Sequence, residues 1–143
     1  NKIKRMDKLE YIPGDLVMVK KSALQFAKDK IFKVISSLSG GFVKVVILND
    51  SNTTYTISNN AIRPTPLTSE ILEKNGWRTQ NRWYYYLDVA EGFISYIGID
   101  FKHKSNKGHL YVEVDGNNMV EIQYCHELQH LFFGLGINHE MEV

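Results

Sequence analysis

Residues 124–136 read Tyr-Cys-His-Glu-Leu-Gln-His-Leu-Phe-Phe-Gly-Leu-Gly, and the reading of this stretch decides what the second half of the chain becomes. At 100° per residue, with Tyr124 as the origin, Leu128, Leu131 and Leu135 fall within about 40° of one direction and Phe132 near about 80°. These residues form one apolar stripe, which predicts a helix from about Gln123 to Leu135 docked on a sheet. His126 and His130 fall near about 200° and 240° on the same wheel, and Phe133 near about 180°. They are expected on the solvent face, where replacing either histidine by Ala would be nearly neutral. An exposed Phe133 between two histidines points to a protein partner or self-association.

The same stretch contains His126-Glu127-Leu128-Gln129-His130, the H-E-x-x-H pattern of zinc peptidases. Positions i and i+4 share a helix face, so His126 and His130 could ligate one zinc ion, with Glu127 as general base on a bound water. A third ligand is not supplied by spacing: Phe133 and Gly136 stand where the extended form of the motif asks for Gly and His. A non-enzymatic docking helix is therefore expected, with no cofactor and no catalytic residue. The alternative is a minimal zinc-dependent hydrolase using His126, Glu127 and His130. Cys125, at the edge of the stripe, reads as a small apolar filler rather than a nucleophile.

Upstream of the helix, the pattern is strand-like. Strands are expected near 82–87, 93–101, 109–114 and 119–122, with Asp115-Gly116-Asn117-Asn118 as a hairpin turn. Alternation places Trp83 and Tyr85 on one face, and Tyr84 and Tyr86 on the other. One face is expected on the helices, and the other partly wet. Leu67–Gly76 reads as a short helix capped by Thr68. With few crossover helices the sheet must be antiparallel, giving an α-β-β-β-β-α module over residues 67–143.

Residues 11–64 read as several short strands opened by Pro13-Gly14-Asp15 and closed by Ile62-Arg63-Pro64. They resemble an SH3-like barrel, with Leu16, Val17, Val19, Phe32, Val34, Val43, Val45, Ile47 and Ile57 as its core. Residues 1–10 form a basic arm. The expected fold is thus α+β, a small SH3-like β-barrel followed by the α+β module. Pro64-Thr65-Pro66, Leu67–Trp77 and the Tyr124–Leu131 helix also resemble short, uncharacterised phage and prophage proteins of gut Bacteroidota. That resemblance covers residues 60–143 and implies a mobile-element setting, with no activity attached.

The 143 residues are 43% hydrophobic and 23% charged with a net charge of +1, as in ordinary globular proteins. Residues 1–66 carry eleven Lys/Arg against five Asp/Glu, while residues 67–143 carry six against eleven. The basic half suggests salt-sensitive contact with nucleic acid. Lys102, Lys104 and Lys107 form a basic turn that could meet a partner. No apolar run reaches the roughly 18 residues of a membrane span, and no signal peptide is visible. One cysteine excludes an internal disulfide framework. A cytoplasmic setting in a bacterial host follows.

Overall fold

Strand β1 (Leu16–Val19) is apolar at every position, a run that suits a strand covered on both faces. In the computed structural model, which describes residues 11–20, 30–48 and 50–142, that is what β1 is. The basic arm at 1–10 lies outside these residues, as do Lys21 and Lys28 of the basic half. Val17 and Val19 face one core with Phe32, Val34, Val43 and Val45. Leu16 faces the other way, into a second core with Leu72, Ile97, Val112 and Leu128. The two halves of the chain therefore meet through β1.

The first sheet comprises β1, β2 (Ile31–Leu38), β3 (Phe42–Ile47), β4 (Asp50–Ser58) and β5 (Ile62–Pro64), in the order β4-β3-β2-β1-β5. All of its pairings are antiparallel. The expected SH3-like barrel is not formed: β4 and β5 are the two edges and do not pair, so the sheet is open. Irregularities between Val34 and Ser36 and between Val46 and Ile47 can curve such a sheet over its own core. Closure also needs the edge strands to exchange backbone hydrogen bonds. The three residues of β5 register only with Val17–Val19. Of the nine expected core residues, seven are buried in this core and Ile47 packs against it partly buried, while Leu16 is buried in the second core instead.

The second sheet is an antiparallel meander of β6 (Arg78–Thr79), β7 (Tyr84–Glu91), β8 (Ile94–Asp100), β9 (Leu110–Val114) and β10 (Asn117–Ile122). Strand β6 is additional to the four expected. Asp115 and Gly116 both take positive φ, 52° and 88°, which is the backbone of the tight hairpin expected between β9 and β10. Helix α1 (Ser69–Lys74) begins at Thr68, whose hydroxyl accepts from the Ile71 amide at 3.3 Å. Helix α2 (Cys125–Gly134) covers one face of the meander through Leu128 and Phe132.

The Pro-rich connector is pinned to the start of α2. Cys125 N donates to Thr65 O at 2.8 Å, and Leu67 N to Gln123 O at 3.1 Å. Downstream of α2 the chain returns across α1. The Asn75 side chain donates to Glu142 O and accepts from Glu142 N, while Met141 joins the second core. No helix among the described residues is long and apolar enough to cross a membrane.

Leu16 and Leu128 are both almost fully buried, so each change to Ala is expected to cost about 2–5 kcal/mol. Leu16→Ala is the more informative, because both tryptophans, Trp77 and Trp83, lie in the second half of the chain. Denaturant unfolding followed by tryptophan fluorescence should show the Leu16→Ala loss in full. An unchanged fluorescence midpoint would mean that the halves unfold independently.

Candidate functional site: an open tyrosine face

The H-E-x-x-H helix carries the one motif with a chemistry attached, and its side chains are engaged elsewhere. The Glu127 Oε1 atom accepts from the amides of Gln123 and Tyr124 at 2.7 and 3.0 Å, so Glu127 caps the helix start. His126 does not face solvent as the wheel suggests, and His130 does so only in part. His126 is only 7% exposed, and His130 Nε2 lies 2.7 Å from the carboxylate of fully buried Asp15. The wheel assumed one core, whereas α2 is packed on two sides: by the second sheet, and by the Pro13–Leu16 turn of the first.

Gln129 is the centre of that second contact. It is fully buried, accepts from Leu16 N at 3.0 Å, and donates to Gly14 O and His139 O at 2.8 and 3.0 Å. Asp15 accepts from Ile12 N at 2.9 Å with the same oxygen that faces His130. Nothing in the spacing pointed to Asp15 or Gln129. On the wheel Gln129 falls at about 140°, outside the apolar stripe, where a polar residue is unremarked. Among the described residues, no three His, Cys, Asp or Glu side chains are grouped as a metal ion requires.

The His126 ring lies among Tyr11, Tyr124 and His130, at centroid distances of 5.3, 6.0 and 5.5 Å. Burial pushes its pKa below the ordinary imidazole value, Asp15 and Glu127 pull it back, and His130 adds to the depression. Cys125 is fully buried, and burial pushes its thiol up to about 12. It is thus protonated and unreactive at neutral pH. Both residues serve the packing of α2.

Among the described residues, the other face of the second sheet carries no helix. Tyr85 turns inward, 3% exposed, and its hydroxyl donates to Glu73 at 2.9 Å. Tyr84 and Tyr86 turn outward and are partly buried, in keeping with alternation. Trp83 departs from it: just before β7, it packs beside His103 and under Lys102, whose Nζ is 5.3 Å from the ring centroid.

Strand register extends the outward set. Tyr84 pairs with Asp100, Asp100 with Tyr111 and Tyr111 with Glu121, which makes one row across four strands. A second row runs Arg78, Tyr86, Gly98, Glu113, and Asp88 opposite Tyr96 makes a third. Tyr96 and Tyr111 were missed in the sequence. The signal was their alternation with buried Ile97, Ile99 and Val112.

Gly98 is required where it stands. A Cβ there would come within 2.1 Å of the Tyr84 hydroxyl, because Tyr84 lies across it to donate to Glu113 at 2.9 Å. Burial, that bond and nearby Tyr96 raise the Tyr84 pKa, so its hydroxyl stays a donor. Burial pushes the Asp100 carboxyl up, but the amides of Lys102 and His103 and the His103 ring more than offset it. Asp100 therefore stays ionised at neutral pH.

The remaining expected partner residues do not gather at one place. Phe133 is 60% exposed and meets the His139 ring edge-on at 5.2 Å, but it belongs to α2 on the inner side of the sheet. Lys102, Lys104 and Lys107 are exposed in the loop between β8 and β9. Comparison with family models, curated proteins and solved structures finds no match for the chain.

The buried imidazole sets a pH dependence. A folded-state pKa below the unfolded value of 6.5 means that the unfolded chain binds the extra proton more readily. His126 therefore favours folding fully above that value, and its contribution is lost as pH falls through 6.5 toward the depressed pKa. Nδ1 of His126 is buried without a hydrogen-bond partner among the described residues, so His126→Phe should fold. Thermal melts on the acid side of 6.5 are expected to show a smaller loss in this variant than in wild type. Parallel curves would contradict the buried, neutral assignment.

Proposed function

We propose that this protein is a non-enzymatic binding protein that receives its partner on the outer face of the second sheet. The observation carrying this reading is the row Tyr84, Asp100, Tyr111, Glu121 and its neighbours, an aromatic and hydrogen-bonding surface on a sheet whose opposite face holds the core. Tyrosine suits such a role because it offers large contact area with few rotatable bonds and a polar tip. A sheet built on a packed core also holds those rings at fixed spacings, which limits the ordering cost of binding. The H-E-x-x-H residues support the fold: Glu127 caps α2, and His130 pairs with Asp15. An accessory role in a phage or mobile element is part of the proposal, supported by the resemblance of residues 60–143 alone.

Selective labelling of tyrosine rings tests the site with the partner still unidentified. Titrations with a Lys/Arg-rich peptide, a neutral oligosaccharide and a single-stranded DNA oligonucleotide are expected to include at least one that shifts Tyr84, Tyr86, Tyr96 and Tyr111. Buried Tyr85 should stay in place. If none of the three probes moves the outward rings, the binding face is wrong.

A further inference from the structure

The outer face has a sign. Asp88, Asp100, Glu113 and Glu121 stand in its rows among the tyrosines, and Arg78 is the cation within them. Arg78 is already paired with Asp88 and lies over the Tyr86 ring, 5.1 Å from its centroid. At the other margin Lys102 lies over Trp83 at 5.3 Å. The chain's own cations thus show how this surface holds positive charge: a ring beneath both and, for Arg78, a carboxylate beside it.

Building on the binding role above, we propose that the occupant is an extended, Lys/Arg-bearing segment of a partner protein. Successive outward residues on one strand are about 6.6 Å apart, which is also the spacing of alternate side chains in an extended peptide. Such a segment can set a cation over Tyr84, Tyr96 or Tyr111, which lie on three different strands, each with a carboxylate opposite it on a neighbouring strand. Along β9 the alternate side chain of the segment then meets Glu113, the next outward residue after Tyr111. Nucleic acid is disfavoured, because phosphates would meet the same carboxylates. A neutral saccharide could stack on the rings but would gain nothing from the net charge.

The test uses a peptide of about ten alternating Arg and Ser residues, its Glu-Ser counterpart, the neutral oligosaccharide and the DNA oligonucleotide. Ring signals of the outward tyrosines and binding isotherms at two salt concentrations are the readouts. The Arg-Ser peptide should shift those rings and bind more weakly at high salt, and the Glu-Ser peptide should do neither. Asp88→Lys with Glu121→Lys should weaken the Arg-Ser peptide about tenfold or more. Glu121→Lys alone is a milder variant should the pair disturb folding, as judged by the Tyr85 signal.

If the oligosaccharide or DNA moves the outward rings and the Arg-Ser peptide does not, the cationic assignment falls while the binding face stands. If no probe moves them, both fall. Concentration-dependent self-association in sedimentation, abolished by the charge reversals, would assign the face to a second copy and overturn the proposal of a separate partner.

Discussion

The fold depends on Gln129, whose amide is buried between two sheets and exchanges hydrogen bonds with the first of them. Three backbone groups from distant segments, Leu16 N, Gly14 O and His139 O, are satisfied by this one side chain. A buried backbone group left without a partner costs about 1–3 kcal/mol, so the turn before β1, helix α2 and the chain after it are held in mutual register. Leu16 then enters the second core beside Leu128. Around this contact, Asp15 meets His130 and Tyr11 meets His126. Surface pairs such as Lys33 with Glu140 at 3.5 Å add little beside it.

This arrangement leaves a clear division of surfaces. Helix α2 is used on the side facing the meander and on the side facing the β1 turn, so the histidines and Glu127 are committed to the fold. Helix α1 and the return of the chain through Met141 also serve the inner side of the second sheet. The outer side of that sheet has none of these elements, yet it bears four tyrosines and four carboxylates in register. Its one sharp packing requirement, Tyr84 across Gly98, positions a ring and a hydroxyl on the surface without filling a core.

Much of this was legible in local pattern. The Thr68 cap, the Asp115-Gly116 hairpin, the antiparallel meander and the shared face of Tyr84 and Tyr86 all follow from short-range chemistry, which the sequence displays directly. What escaped was non-local. Barrel closure depends on whether two edge strands meet, and strand patterns do not record that. His126 was misplaced and Gln129 overlooked because a helical wheel shows which face is apolar but not whether a polar face is also covered. Strand β6, two residues long, is too short for alternation to show. The unbroken apolar run at Leu16–Val19 did carry a usable sign that β1 is enclosed on both faces.

The central claim is that α2 is a structural helix tied to both sheets, with the H-E-x-x-H residues in its service. The most direct measurement is the unfolding free energy of Gln129→Leu, a change of similar volume that removes all three hydrogen bonds. With two buried backbone groups and one part-buried group unsatisfied, the account predicts a loss of at least about 2 kcal/mol, together with faster hydrogen exchange at the Leu16 amide. A loss under about 0.5 kcal/mol, the scale of an ordinary surface substitution, with Leu16 protection unchanged, would contradict it.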